Sequence, residues 1–320
     1  MTRALSDMKK SSSHTPIYRK NASGIFVQTG HMSNLLQQDV STFLAIKQQA
    51  LKLQESYSQN GLVLPSTSYL SKLLDDAVTL SDAWLLNDHS RVTPQHIFNV
   101  CQLNRVTAAA THLGVSEQAR KYLSALLNGS LDLLSRERSI AKDFLWELEF
   151  WNILVNYGMH ATLEEPDIAV NFEGNKIGIA CKKIYSENNV SKVLSEAVSQ
   201  IEDSIDIGII AINLDDLTPA NSILKAPSVE EVLQIIDKTN IGFIKNHERY
   251  LRKYLEPGRA ISAYVSTCVI GNVESTKPPF FNARQSSVWA IPGLAEDKDK
   301  QLRNFYNAIK AAHDYTQRQM

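Results

Sequence analysis

Several features that would mark a common class of protein are scarce or missing in this sequence. The 320 residues contain three cysteines, Cys101, Cys181 and Cys268, which lie far apart and show no CxxC or Cys/His spacing. A disulfide framework and a structural zinc site are therefore not expected, and a reducing, cytoplasmic setting is. No apolar run reaches the roughly 18 residues of a membrane span, so we expect no membrane association. The first 20 residues are basic and Ser-rich but lack the apolar segment of a secretory signal.

An excess of charge of one sign is also missing. The chain has 33 Lys and Arg against 34 Asp and Glu, a formal net charge of −1. Overall charge would therefore not attract nucleic acid, and any such binding must come from local basic patches. The N-terminal half shows no P-loop, GxGxxG or HExxH motif and no internal repeat.

The pattern of apolar residues divides the chain into three parts. Residues 1–28 are predicted to be a flexible basic arm. Residues 29–130 are predicted to be a helical domain, because apolar residues recur there at three- and four-residue spacing. One of its helices is predicted to begin at Thr93-Pro94, where Thr93 can cap the helix and Pro94 can occupy its first position.

Residues 131–320 are predicted to form an α/β domain with a C-terminal extension. Its first six elements follow the order α, three β, α, β, with a turn at Gly174-Asn175 and a helix stop at Gly158. These elements are predicted as a helix over 131–157, strands over 160–163, 167–172 and 176–184, a helix over 190–204 and a strand over 207–214. The extension is predicted as a helix over 228–255, strands over 260–271 and 286–291, an intervening Pro-rich loop, and a closing helix over 297–316.

The element order and two short motifs resemble one known family. The α-β-β-β-α-β order, PD at 166–167 and CKK at 181–183 are similar to the PD-(D/E)XK nuclease superfamily, which includes many restriction and repair endonucleases. The resemblance covers residues 140–214. Members of this family place an aspartate at the start of the second strand and Glu-x-Lys on the third. They often add a glutamate on the preceding helix and a glutamine on the following one.

The resemblance implies roles for four residues and leaves one position unfilled. Asp167 matches the strand aspartate and Lys182 the lysine. Glu147 matches the glutamate of the preceding helix, and Gln200 the later glutamine. Ala180 stands where the family usually has a glutamate, two residues before the lysine.

The chemistry explains why these residue types are needed. Hydrolysis of a phosphodiester requires hard cations that polarise the phosphate and lower the pKa of an attacking water, so carboxylates must converge. The resemblance implies that Asp167 and Glu147 hold Mg²⁺ or Mn²⁺, with Glu149 as the alternative helix carboxylate, and that Lys182 positions the water. Alternate residues of a strand face the same side, so residue 180 lies on the same face as Lys182. Because residue 180 is an alanine, that face lacks the carboxylate that the family usually has there.

Glu196 is a candidate replacement for the missing metal-binding acid. Thirteen residues separate Lys182 from Glu196, which is the spacing in one branch of restriction enzymes within this superfamily. At about 100° per residue, however, Glu196 lies far from the centre of the apolar stripe of its helix, and Gln200 lies nearer to the sheet. A replacement acid and a solvated surface residue therefore both remain open for Glu196.

Basic residues in three places are candidates for contact with DNA phosphates, and the first place is the N-terminal arm, with Lys9, Lys10, Arg19 and Lys20. Lys183 follows the motif lysine, and Arg249, Arg252 and Lys253 recur on turns of the predicted helix over 228–255. The same helix also carries glutamates, so an ordinary solvated face is the alternative.

The sequence thus predicts an α+β protein with a restriction-endonuclease-like core behind a helical domain. On the resemblance, its activity would be Mg²⁺-dependent hydrolysis of DNA, in restriction or anti-phage defence. A catalytically inactive nuclease fold that binds DNA or acts as a scaffold is the first alternative, and a helical interaction adaptor with an accidental resemblance is the second. Expected partners are DNA and a protein bound by the helical domain; a homodimer would suit double-strand cleavage.

Overall fold

The computed structural model describes residues 19–21, 24–32, 41–88, 90, 92–201, 205–258, 260–276, 280–291 and 293–319. The helices in these residues are α1 (Ser41–Gln59), α2 (Tyr69–Leu85), α3 (Pro94–Ala110), α4 (Glu117–Leu126), α5 (Ile140–Asn156), α6 (Val190–Gln200), α7 (Val229–Leu255) and α8 (Glu296–Gln319). The strands are β1 (Arg19–Asn21), β2 (Gly24–Met32), β3 (Ala161–Thr162), β4 (Ile168–Phe172), β5 (Asn175–Lys183), β6 (Ile207–Asn213), β7 (Leu224–Lys225), β8 (Ser262–Asn272) and β9 (Phe280–Ala290).

All the described strands join one mixed sheet. Its order is β1-β2-β9-β8-β6-β5-β4-β3, and β7 pairs with β8 outside this path. Strands β3, β4 and β5 form an antiparallel meander, β5, β6 and β8 run parallel to one another, and β9 and β2 continue the sheet antiparallel. The fold is therefore mixed α+β.

Helices cover both faces of the sheet, and β5 shows how the sequence separates the faces. Its odd-numbered apolar residues, Ile179 among them, belong to a core shared with α3 and α5. Ala180 belongs to a second core, formed with α6 and α7. This is the two-residue alternation expected of a strand that is buried on both faces.

The helical segment shares its core with the sheet. One continuous cluster of buried apolar residues includes Leu73 of α2, Leu103 of α3, Leu126 of α4, Trp146 of α5 and Ile179 of β5. The boundary predicted near residue 130 therefore does not separate two hydrophobic cores. The helices α1 to α4 instead form a layer packed on α5 and on part of the sheet.

The N-terminal prediction is corrected by strand pairing. Strand β2 pairs with β9 from Ile25 opposite Ala290 to Met32 opposite Ala283, and β1 pairs with β2. Residues 19–21 and 24–28 are thus strands rather than parts of a flexible arm, and residues 29–32 belong to β2 rather than to the predicted helical domain. Residues 1–18 lie outside the described part of the chain. This pairing joins segments more than 250 residues apart, and no local pattern predicts it.

Two further boundaries differ from the sequence prediction. Strand β9 begins at Phe280, inside the segment predicted as a Pro-rich loop. Helix α5 begins at Ile140 with Ser139 as its N-cap, nine residues later than predicted. Before it, the side chain of Asp132 accepts the backbone N–H of Leu134 at 3.0 Å, a local bond that favours a turn over a helix.

Several local predictions are confirmed. Thr93 is the N-cap of α3 and Pro94 begins that helix. Gly158 ends the α5 segment with φ +73°, the left-handed conformation that glycine favours. The turn between β4 and β5 has Glu173 (φ 48°) and Gly174 (φ 80°) at its centre, one residue earlier than predicted. Among the described residues, no helix is long and apolar enough to cross a membrane.

Candidate active site

Asp167 and Lys182 meet because β4 and β5 pair in a fixed register. Ile168 lies opposite Ile179, so Asp167, just before β4, lies beside the carboxyl-terminal half of β5. The Oδ2 atom of Asp167 accepts the backbone N–H of Cys181 at 2.7 Å. The Nζ atom of Lys182 lies 3.6 Å from the same oxygen. The two motif residues predicted from the sequence are therefore neighbours.

Glu147 reaches the same cluster from α5. Glu147 is half-buried, and the charges of Asp167 and Lys182 both affect the pKa of its carboxylate. The hydroxyl of Tyr122, on α4, donates a hydrogen bond to Oε2 of Glu147 at 2.8 Å. The cluster thus draws on α4, α5, the start of β4 and the end of β5, and we call these four residues the Asp167 cluster.

The two carboxylates of the Asp167 cluster are held in an environment that disfavours their charge. Burial, and next the charge of Asp167, raise the pKa of Glu147 to about 8, against the opposing effects of Tyr122 and Lys182. Burial likewise raises the pKa of Asp167, although Lys182 and the Cys181 N–H counteract it. Burial also raises the pKa of Tyr122, which keeps its hydroxyl a donor. Close, partly desolvated carboxylates are a common feature of cation-binding and catalytic sites.

The position of the missing acid is filled by apolar packing. Ala180 is fully buried among Val190, Leu194 and Ala197 of α6 and residues of α7. Any larger side chain there would have to displace this packing. The second acid of the family pattern is therefore absent from the sequence and from the space that it would need.

The two candidates on α6 do not enter the Asp167 cluster. The side chain of Glu196 is 56% exposed, and its carboxylate lies 3.8 Å from Nζ of Lys192, one turn earlier on the same helix. Gln200 is exposed at the end of α6. The apolar stripe of α6 faces the sheet and carries Glu196 and Gln200 outwards, so their proposed site roles are revised.

The Asp167 cluster contains two carboxylates, those of Asp167 and Glu147. Among the residues that the structure describes, no group of three or more His, Cys, Asp and Glu side chains is placed to hold a metal ion. Mg²⁺ is often bound by one or two protein carboxylates, with water and substrate phosphates completing its coordination. Asp167 and Glu147 suit that mode of binding, whereas a fully protein-built cage is not available.

Glu149, the alternative helix carboxylate, belongs to a separate buried network. Its Oε1 atom lies 2.7 Å from Nε of Arg105 and 2.7 Å from Nη2 of Arg284. The same Arg105 reaches Asp215, just after β6, at 2.7 Å. Burial alone would raise the pKa of Asp215, but Arg105 and neighbouring cations hold it well below its usual range. Glu149 thus links α5 to α3 and β9.

Lys183 is part of this buried network and cannot contact DNA in this fold. Its side chain is 3% exposed, and Nζ lies 2.6 Å from Asp216 and 2.7 Å from Oδ1 of Asn213. Asp216 also pairs with Lys142 of α5 at 3.3 Å. The proposed DNA contact of Lys183 is therefore revised. An acidic pair immediately after a buried parallel strand was the sequence signal for this network.

The basic residues of α7 behave in two different ways. Arg252 lies between Glu248 (2.9 Å) and Glu256 (3.1 Å), so its charge is locally balanced. Arg249 and Lys253 are exposed, and each lies over the ring of the tyrosine that follows it. Together with the exposed Lys245 they form a stripe with four-residue spacing, which we call the α7 basic stripe.

The α7 basic stripe lies on a helix that packs beside the end of β5. Nε2 of His247 lies 3.0 Å from Oε2 of Glu187, in the short 3-10 turn that follows β5. The hydroxyl of Tyr254 lies 3.3 Å from the hydroxyl of Ser191, in the first turn of α6. The chain that leaves the Asp167 cluster therefore runs directly against this part of α7.

No protein-family model matches the chain, and no curated protein or solved structure matches it significantly. The interpretation of the site thus depends on its own geometry. That geometry unites Asp167, Lys182 and Glu147, adds Tyr122, and leaves out Glu196.

Proposed function

We propose that the protein is a metal-dependent nuclease with a restriction-endonuclease-like core, and that it hydrolyses phosphodiester bonds in DNA. The observation that carries this proposal is the convergence of Asp167, Lys182 and Glu147 from β4, β5 and α5. The order α5-β3-β4-β5-α6-β6, with an antiparallel meander followed by a parallel strand next to β5, supports it. The setting that suits such a protein is the cytoplasm, in restriction or anti-phage defence.

Each residue of the cluster has a chemical role under this proposal. Asp167 and Glu147 would hold a Mg²⁺ or Mn²⁺ ion, which would supply Lewis-acid polarisation of the scissile phosphate. Lys182 orients the attacking water and neutralises charge that develops on the phosphate. The bond from the Cys181 N–H fixes the carboxylate of Asp167, so that the lysine and the acid keep one geometry.

The α7 basic stripe is the surface that we assign to the DNA backbone. Residues four apart on a helix are separated by about 6 Å along its axis, so Lys245, Arg249 and Lys253 present three cations along one line. None of these three residues has an acidic partner among the described residues, in contrast to Arg252. Double-strand cleavage would require two such sites, for which a homodimer is the simplest arrangement. The exposed surface of α1 to α4 would remain for a protein partner.

One observation favours a second function. Because Ala180 is buried and α6 supplies no acid, the cluster has one carboxylate fewer than the family pattern. A catalytically inactive member of the same fold, which binds DNA or serves as a scaffold, would show this loss. Such a protein would retain DNA binding through α7 but would not cut.

The deciding experiment measures nicking and cutting of plasmid and linear DNA with Mg²⁺ or Mn²⁺. We expect the wild type to cut and Asp167→Asn and Lys182→Ala to lose activity by at least a hundredfold. Asp206→Asn is a matched control, since Asp206 also accepts a backbone N–H of β5, from Lys176 at 2.8 Å, at the opposite end of the strand. Lys176→Ala serves as the control for the lysine.

The other outcomes separate the alternatives. A wild type that binds DNA but cuts no substrate with either metal would favour the inactive fold. A wild type that neither binds nor cuts DNA would overturn both nuclease-fold functions and favour the helical adaptor.

A further inference from the structure

Tyr122 lies outside the segment that carries the family resemblance, yet it touches the candidate site. It is 2% exposed, and its ring packs edge-on against Phe144 of α5 with ring centroids 5.3 Å apart. Its hydroxyl points at Glu147 and donates to Oε2 at 2.8 Å. Among the described residues, this is the hydrogen bond that the side chain of Glu147 accepts. A residue of the helical segment therefore supports a site otherwise built on α5 and the sheet.

We propose that Tyr122 is a positioning residue for the candidate metal site, and that α4 is for this reason a structural part of that site. This inference rests on the proposed function. The hydroxyl of Tyr122 donates to Oε2 of Glu147 and so restricts the rotation of the carboxylate that would hold the divalent cation. The helical segment thereby has a role in catalysis that does not require a protein partner.

The energetic reason is the freedom of a glutamate side chain. An unrestrained glutamate loses rotamer entropy when it is held in one orientation, and this loss weakens metal binding. A bond from a buried, rigid tyrosine removes part of that freedom before the cation binds. Groups that orient metal ligands in this way typically change metal affinity by about 10- to 100-fold when they are removed.

The fold holds Tyr122 in place independently of Glu147. The neighbouring Leu123 is fully buried, and its carbonyl accepts the hydroxyl of Tyr57, on α1, at 2.9 Å. Ser116 is the N-cap of α4, and its side chain accepts the N–H of Ala119 at 3.0 Å. These bonds and the burial of Leu123 anchor α4 together and do not involve Glu147, so the position of α4 does not depend on any one of them.

The test compares Tyr122→Phe with Tyr57→Phe. Each variant keeps its ring and loses one hydroxyl that makes a hydrogen bond in or beside α4, but only Tyr122 contacts Glu147. Mg²⁺ affinity is measured by titration calorimetry and by the Mg²⁺ concentration that gives half-maximal DNA cleavage. We expect Tyr122→Phe to raise the Mg²⁺ dissociation constant and the half-maximal Mg²⁺ concentration by about tenfold or more, with cleavage at saturating Mg²⁺ less affected. Tyr57→Phe should stay within twofold of the wild type in both.

A double-mutant cycle separates positioning from a general loss of stability. In a Glu147→Gln background, Tyr122→Phe should change the residual Mg²⁺ affinity by less than twofold, because the group that it orients is already gone. Equal effects in both backgrounds, or a Tyr122→Phe variant that behaves like Tyr57→Phe, would overturn the positioning role while leaving the nuclease proposal intact. A wild type that neither binds Mg²⁺ or Mn²⁺ nor cuts DNA would overturn both.

Discussion

The guanidinium of Arg105 joins the carboxylates of Glu149 and Asp215, with a nitrogen–oxygen distance of 2.7 Å to each. The three residues belong to α3, α5 and the turn that follows β6, and Arg284 of β9 pairs with Glu149 as well. All four side chains are less than 9% exposed. The helical segment is thus attached to the sheet by buried charges in addition to apolar packing.

Loss of Arg105 should therefore be strongly destabilising. In Arg105→Ala, the carboxylates of Glu149 and Asp215 lose a shared cation while they remain buried. Removing one partner of a buried ion pair typically costs about 3–5 kcal/mol. Urea unfolding followed by circular dichroism measures this cost. Arg120→Ala, on the exposed face of α4, is the control and should change the free energy of unfolding by less than about 0.5 kcal/mol. Equal stability of the two variants would contradict a structural role of the network.

The stability of the metal-free protein should depend on the protonation of Glu147. Burial raises the pKa of Glu147 from its ordinary 4.5 to about 8 in the folded protein. The folded state then keeps a proton that the unfolded chain releases. The contribution of the protonated Glu147 to the stability of the folded protein is thus fully present below pH 4.5 and is lost as pH rises towards 8. Each unit of pKa difference corresponds to about 1.4 kcal/mol.

Glu147→Gln should remove this dependence. We expect the variant to gain stability relative to the wild type between pH 5 and pH 8, measured by urea unfolding in the presence of EDTA. Glu137→Gln, at an exposed position, should run parallel to the wild type over the same range. A constant difference between Glu147→Gln and the wild type at both pH values would show that Glu147 titrates normally.

The α7 basic stripe should control the salt dependence of DNA binding. Each phosphate contact adds about 0.9 to the slope of log affinity against log salt for duplex DNA. Arg249→Gln and Lys253→Gln should each lower that slope by nearly this amount, measured by fluorescence anisotropy in EDTA. Arg252→Gln is the matched control, because Glu248 and Glu256 already balance its charge. Equal slopes in all three variants and the wild type would show that DNA does not bind along the α7 basic stripe.

The elements that carry Asp167 and Lys182 could be predicted from the sequence because they depend on local patterns. Alternation of apolar residues locates β4 and β5, and a short turn with Gly174 fixes their register. That register brings Asp167 to Lys182. The pairing of β2 with β9 could not be predicted in this way, since it joins distant segments without a local signal.

The choice between Glu147 and Glu149 shows where sequence reasoning stops. Two residues apart on α5, both glutamates lie among apolar neighbours, and spacing alone does not decide which one reaches Asp167. Partners from distant segments decide it: Arg105 and Arg284 hold Glu149, while Tyr122 binds Glu147. The hydrogen bond from Tyr122 to Glu147 could likewise not be predicted from the sequence, because a tyrosine in a helix is most often an ordinary core residue.

Glu196 should be dispensable for metal binding and cleavage. Its side chain is 56% exposed and pairs only loosely with Lys192, on the face of α6 that points away from the sheet. We expect Glu196→Ala to keep Mg²⁺ affinity and cleavage within twofold of the wild type and to change stability by less than about 0.5 kcal/mol, as is usual for exposed helix pairs. Asp167→Asn, in the same calorimetric and plasmid assays, should lose both. If Glu196→Ala instead lost activity as Asp167→Asn does, α6 would have to rotate when metal or DNA binds, and the acid missing at Ala180 would be supplied by that movement.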